Sequence, residues 1–453
     1  MTGKRKRREW ARNGRALPAM QVSPAPPPGL AQPKPDAAAS DRTERASTQN
    51  PIFRLWHHRN YRIFMCGQTP NNTTSWMQRV GVGWFAWELT HSSIWLGAVA
   101  AADLAPMLIL APLAGALTDR SDPMRQIRIT QFLMFLQAIT MAAVTLAGLM
   151  TVELLFALSL VTGTIQPLYA TARQTIVPST VPRSEFPSAV AIDSALFQAS
   201  RFVGPAIAAL IIPHAGVGGT FLAHVCGTFG LIVALNFMRL PPYRPQPRRG
   251  ANIFQDIGES LRYVYGHKGI LPLFVLLTVA SSLVRPLQDM LPGFAGGVFH
   301  SGAVGLSWLA SSMGVGAMAS AGWIGYRGRI DGLSVVVLSG FLGLVVATFG
   351  FVATDRLWLG VLFAAMSGCT LNLMSTSTQA LVQSAVADHM RGRVMSLYIL
   401  VFRGTPAIGA LVIGVLADRM GLRLAFAATA AICFAVWFAI LPQRRAIAET
   451  LEA

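Results

Sequence analysis

The chain has 453 residues, 13% of them charged and 53% hydrophobic, with a formal net charge of +17 and a mean hydropathy of +0.48. A soluble domain of this length carries about twice that charge fraction, which excludes a water-soluble globule. The positive excess does not indicate a nucleic-acid partner: thirteen of the 37 Lys and Arg fall in residues 1–62, and most others sit in loops beside apolar runs, the pattern that keeps cationic loops on the cytoplasmic side of a membrane.

Residues 1–51 open with Lys4-Arg5-Lys6-Arg7-Arg8 and run on through Pro24, Pro26, Pro27, Pro28, Pro33 and Pro35. Such a segment cannot bury enough apolar surface to offset its ordering entropy, so a disordered cytoplasmic tail is expected, either solvated or drawn to anionic headgroups. No apolar stretch follows the basic cluster, which argues against a signal peptide.

A bilayer core takes roughly 20 apolar residues per helix. Apolar runs and their breakers place spans near 62–88, 93–117, 127–149, 152–177, 188–212, 218–239, 270–292, 303–326, 333–353, 357–386, 393–416 and 422–441. Alternate gaps hold the basic residues: Arg120, Arg125 and Arg128; Arg183; then Arg239 to Lys268; Arg327 and Arg329; Arg391 and Arg393. The other gaps hold none until Arg356, Arg419 and Arg423, so both termini are expected in the cytoplasm. The gap 240–269 separates an N-terminal bundle, 52–239, from a C-terminal bundle, 270–442, ahead of a cytoplasmic tail, 443–453. Within it, Ile253, Phe254, Ile257, Leu261 and Val264 recur at helical spacing after Asn252, a candidate N-cap, and predict an amphipathic helix on the inner membrane face. Gly115 to Arg120 precedes the third span as Gly322 to Arg327 precedes the ninth. The expected fold is an all-α membrane protein, twelve transmembrane helices in two pseudo-symmetric six-helix bundles with a site between them.

Several motifs carry a family resemblance over residues 52 to 442. Gly115-Ala116-Leu117-Thr118-Asp119-Arg120 resembles the loop signature of the major facilitator superfamily, with Asp122-Pro123-Met124-Arg125 where that signature has a Gly and more basic residues. The resemblance implies a conformational latch made of Gly115, Asp119, Arg120 and Arg125. Phe53-Arg54-Leu55, Asn60-Tyr61-Arg62, Trp76-Met77-Gln78-Arg79, Arg173-Gln174, Arg201 to Pro205 and Arg391-Gly392-Arg393-Val394 resemble the branch that contains enterobactin-exporter-like and transmembrane secretion effector proteins. Gly204-Pro205-Ala206-Ile207-Ala208-Ala209 is similar to the span-five motif of drug-proton antiporters, a helix-packing motif with Ala for a Gly pair; small residues there allow close approach. The resemblance implies a bacterial inner-membrane transporter.

Ionisable residues inside apolar spans are costly in hydrocarbon and should face a cavity or a partner. Asp103 lies near the middle of the second span, one turn before Pro106. It either carries or gates a coupling proton or is a neutral carboxyl hydrogen-bonded to a neighbouring helix. Arg201 and Arg403 occupy repeat-related helices and need an anionic partner, a polar network or the substrate, because arginine does not deprotonate. Asp193, eight residues before Arg201, is offset by roughly 80° around the helix, so the two do not pair directly. Arg285 and Asp289 are four apart and can satisfy each other beside Pro286 and Pro292. Asn71 to Arg79 is too polar for lipid, which makes Gln78 and Arg79 candidates for substrate contact. Trp76, Trp84, Trp87, Trp308 and Trp323 either line a pocket or anchor at the interface.

Cys66, Cys226, Cys369 and Cys433 lie within or beside apolar spans without CxxC spacing and read as small hydrophobes. His57-His58 lacks an acidic or cysteine partner at ligand spacing, so neither metal nor cofactor is expected. Phosphate-loop, HExxH and GxSxG motifs are missing, so the chain is not expected to be an enzyme. The expected function is secondary active transport by alternating access: proton-coupled efflux of a small amphipathic siderophore, drug or metabolite. Its expected partners are the bilayer, the substrate and protons, and its expected state a monomer. The alternatives are a polytopic sensor or scaffold and a membrane enzyme.

Overall fold

The computed structural model describes residues 51–239, 253–329 and 331–452. The basic run, the proline-rich tail and Asn252 lie outside them. A short α1 (Pro51–His57) leads into α2 (Arg59–Thr90), α3 (Ser93–Arg120), α4 (Pro123–Leu146), α5 (Val152–Ser179) and α6 (Phe186–Phe237). Chain direction reverses within α6 at Gly216, whose φ of 64° is open to glycine without penalty, leaving arms at 186–215 and 217–237. The linker helix α7 (Ile253–Gly266) follows, then a broken span made of α8 (Ile270–Val279) and α9 (Leu287–Gly293). The remaining helices are α10 (Gly302–Arg327), α11 (Leu333–Ala353), α12 (Leu357–Ala385), α13 (Asp388–Met420), α14 (Leu422–Ile440) and α15 (Arg444–Leu451).

By length and composition, 10 described segments can cross a membrane. One of these, Arg183–Phe237, holds both arms of α6, and the polar stretch from Asn71 to Arg79 keeps the 32-residue α2 out of that set. With α2 and the second arm included, the described helices make twelve crossings.

Local chemistry sets several ends. Asp122 accepts from Met124 N at 2.9 Å and Pro123 takes the first turn of α4. The residues that depart from the family loop signature therefore act as an N-cap with proline at N1, and the third span starts at Pro123 rather than 127. Thr151 caps α5 by accepting from Leu154 N at 3.3 Å. The first span begins at Arg59 and the eleventh at Asp388, both ahead of the expected 62 and 393. In the seventh span, π-turns at Ala280–Val284 and Phe294–Val298 flank α9, so the helix runs past the expected end at 292.

Three hydrophobic clusters explain the architecture. One lies within the first bundle and contains Leu55, Phe64, Ile165 and Leu231. A second lies within the last helices and contains Leu273, Phe341, Val382 and Cys433. The third joins the bundles at the end away from the linker, packing Met77, Trp87, Leu96 and Phe221 against Leu291, Phe294, Phe351 and Phe426. The molecule is thus sealed at one end and split at the linker end. Outside, large apolar side chains such as Ile109, Leu210 and Phe438 are bare, at 73%, 72% and 66% exposure; a lipid solvent accounts for that surface.

Within the segment 443–453, expected as a tail, Arg444–Leu451 form α15. Ile447 and Leu451 enter the second cluster, and the following Glu452 accepts from Gly332 N at 2.8 Å and Ser334 N at 2.6 Å at the start of α11. Partial burial works to raise this carboxyl, but the hydrogen bonds from Ser334 and Gly332, with Arg327 nearby, hold it below the usual carboxylate range.

Candidate functional site

The split between the bundles is a cavity of about 1790 Å³. It extends from Leu96, Val99 and Leu306 at the sealed end to Gly115, Gly392 and Arg393 beside the linker helix. Close helix approach seals the far end: a Cβ on Gly97 of α3 would collide with the Ala410 carbonyl of α13, and one on Gly414 would stand 2.8 Å from Ser93 O.

Arg79 on α2 organises the floor. Its guanidinium lies 3.3 Å from Asp103 Oδ2 on α3 and 3.4 Å from Asp289 Oδ1 on α9. One cation from the first bundle thereby holds one carboxylate from each bundle. Trp76, one turn earlier, presents its ring to Arg79 at 5.7 Å and to Arg201 at 5.5 Å. Arg201 on α6 also donates to Gln288 Oε1 at 2.9 Å, a second polar tie between the bundles. Gly204 brings these helices together, since a Cβ there would lie 2.6 Å from Thr73 O; the adjacent Pro205 lines the cavity.

The Arg285–Asp289 pair expected from their spacing does not form. Asp289 turns to Arg79, whereas Arg285 donates to Phe402 O at 3.2 Å and covers the Phe402 ring at 5.3 Å. The backbone explains the difference. After the π-turn, Gln288 N bonds to Arg285 O and Asp289 N to Pro286 O, tightening the turn so that residues four apart no longer share a face. Arg403 on α13 faces the same cavity and has no ion-pair or hydrogen-bond partner among the described residues.

Other candidates sort by position. Gln78 borders the cavity, but its amide donates to Met141 Sδ at 3.1 Å and the residue is buried. Of the five tryptophans named above, Trp76 lines the cavity; Trp84 and Trp87 pack in the joining cluster, and Trp308 and Trp323 face outward. Arg120 and Arg125 are exposed without ion-pair partners among the described residues, and the Asp119 side chain lies outside them. A Cβ on Gly115 would meet open space. Gly115 and Arg120 line the open mouth of the cavity.

Several polar residues were not singled out by spacing. Arg173 on α5 grips Asp193 on α6 at 2.5 Å, so Asp193 is paired across helices and not with Arg201. Tyr169 donates to Gln68 Oε1 at 2.5 Å, and Gln131 to Asn71 Oδ1 at 3.3 Å. At the linker end Arg54 and His58 both reach Glu185, at 2.9 and 2.8 Å. Arg173 and Arg54 carried a signal through the family motifs, and Asn71 through the polar stretch it opens; the Tyr169 contact spans 101 positions and has no local trace.

Residues 51–452 match the transmembrane secretion effector family. Among similar proteins, the staphyloferrin A transporter of Staphylococcus aureus is 23% identical, over 77% of this chain and 87% of its own. Macrolide efflux protein A of Streptococcus pyogenes is also 23% identical, over 85% and 96%. The multidrug efflux pump Tap of Mycolicibacterium fortuitum is 24% identical, over 77% and 87%. The solved nucleoside transporter NupG shares the fold with a TM-score of 0.64 at 13% identity, covering 85% of this chain and 98% of that one. A bacterial homologue of the human lysosomal transporter Spinster does so with 0.62 at 13%, covering 87% and 99%. With a family match across both bundles and a polar cavity between them, the chain belongs to the transmembrane secretion effector family of the major facilitator superfamily and is a multi-pass membrane transporter.

Proposed function

We propose that the chain is a proton-coupled exporter of a small amphipathic molecule, working as a monomer in a bacterial inner membrane with both termini in the cytoplasm. Bundle boundaries at 52–239 and 270–442 mark the rocking units. Arg239, Arg262 and Lys268 around the linker favour a cytoplasmic linker face. The cavity in this conformation then opens to the side from which an exporter loads. The macrolide efflux protein and the multidrug efflux pump among the relatives agree with efflux.

The observation that carries the coupling is the bridge from Arg79 to Asp103 and Asp289. A proton on Asp289 removes the anionic end of the inter-bundle tie and leaves Arg79 to Asp103; a proton on Asp103 strengthens the claim of Asp289. Proton occupancy is thereby linked to bundle separation through one shared cation. The test uses proteoliposomes with an imposed pH gradient and amphipathic dyes of both charges. Wild type should concentrate dye, whereas Asp103→Asn should lose gradient-driven accumulation while keeping downhill exchange. Full coupled transport by Asp103→Asn rejects this assignment.

A further inference from the structure

We infer that the transported molecule is an organic anion, bearing a carboxylate or an equivalent oxyanion beside apolar surface, and that Arg201, Arg285 and Arg403 receive it. This inference rests on the transport reading and names the substrate class of the same cavity.

The charges of the cavity are unequal. Away from the mouth, five arginines, Arg79, Arg173, Arg201, Arg285 and Arg403, face three aspartates, Asp103, Asp193 and Asp289. All three carboxylates are already taken, by Arg79 or Arg173. Among the described residues the lining contains neither lysine nor glutamate. Among the described residues, three permanent cations are left without a carboxylate within ion-pair range.

What those arginines do contact is neutral and incomplete. Arg201 has one amide oxygen and a tryptophan face, and its Nε is buried without a partner. Arg285 has one carbonyl and a phenyl ring. Each keeps donors of its planar fork in hand, and that fork matches a carboxylate in two parallel hydrogen bonds. An uncompensated arginine inside a membrane costs several kcal/mol, so an anion entering here gains charge-assisted hydrogen bonds and relieves the repulsion among three like charges. A cation meets the opposite balance: it finds no free carboxylate and must first displace Arg79 or Arg173.

The three arginines also come from both bundles, Arg201 from α6, Arg285 from the seventh span and Arg403 from α13. A bound anion would replace mutual repulsion across the split with shared attraction, favouring closure over the substrate. The lining also offers Leu104, Met107, Phe197 and Leu400 to an apolar body.

A matched pair of xanthene dyes tests the assignment on the purified full-length protein: anionic 5-carboxyfluorescein and cationic rhodamine 6G, titrated by fluorescence anisotropy at fixed ionic strength. Carboxyfluorescein should bind more tightly, and Arg201→Gln or Arg403→Gln should each weaken it by about tenfold or more, the scale of a lost charged hydrogen bond. Arg201→Lys should recover part of that loss, and melting temperatures show whether each variant is folded. Tighter binding of rhodamine 6G, no carboxyfluorescein binding, or carboxyfluorescein affinity indifferent to both substitutions overturns the anion site. Transport in proteoliposomes separates the two readings. Arginine-dependent binding without gradient-driven movement removes the coupled-exporter reading and leaves the anion site, whereas gradient-driven movement of rhodamine 6G alone does the reverse.

Discussion

Arg79 holds two carboxylates in a partly wet cavity, with side-chain exposures of 35% for Arg79, 26% for Asp103 and 12% for Asp289. Removing the shared cation strands both acids, and Arg79→Gln should destabilise the protein by about 1–2 kcal/mol, less than a fully buried pair because water reaches the site. In a double-mutant cycle with Asp103→Asn, melting in detergent should show coupling of about 0.5 kcal/mol or more; strictly additive losses would mean that the 3.3 Å approach carries no energy. The sequence shows that Arg79 and Asp103 require partners, because ionisable groups at that depth cannot be left to lipid. It does not show that they are each other's partners, since the contact depends on how α2 and α3 cross. Arg285 and Asp289 make the converse case: spacing offers a local partner, and a π-turn followed by Pro286 takes it away. Asp193 and Arg201 were separable by helical phase alone, yet Arg173 as the true partner of Asp193 needed the fold.

At the level of whole helices, hydropathy locates almost every span because lipid demands a closed backbone and an apolar exterior. The polar stretch of α2, too polar for lipid, faces other helices and the cavity: Gln68 meets Tyr169, Asn71 meets Gln131, and Arg79 lines the cavity. Hydropathy misses α15, whose eight residues are too short and too charged to resemble a span and are held by burial of Ile447 and Leu451. Glu452 extends that docking by capping α11, and its folded-state carboxyl titrates lower than it would in the unfolded chain. The stabilisation is therefore whole above roughly pH 5 and is lost as pH falls through the lowered value. At pH 7, Glu452→Gln should reduce stability by about 1 kcal/mol, the usual worth of a helix cap. That gap should close as the melting experiment is repeated at progressively lower pH, once the carboxyl is protonated in the folded state too, and a gap independent of pH would assign the effect to packing instead of charge.

Seen as a whole, the molecule has one sealed end and one open end, and its glycines record the difference. Gly97 and Gly414, where α3 meets α13 at the sealed end, leave no room for a side chain, whereas Gly115 and Gly392, near the linker ends of the same two helices, have nothing within 4 Å of an added Cβ. Sequence singles out Gly115 and Gly392 through family motifs and offers nothing for Gly97 and Gly414 beyond small residues in apolar helices; only the conformation separates those in use from those waiting. If the bundles rock about the cavity, the linker end must close by a similar approach of α3 and α13, and Gly115 and Gly392 are placed to meet there. Leucine at both positions should then leave this conformation nearly untouched, with stability changed by no more than about 0.5 kcal/mol. Dye binding from the linker side should persist. Transport, which needs the closed mouth, should fall by roughly tenfold or more because the second state is no longer populated. Equal transport rates for Gly115→Leu/Gly392→Leu and wild type in proteoliposomes would show that the mouth closes through other contacts. A binding defect in the same variant would instead place these glycines in the present conformation, contrary to the open space around them.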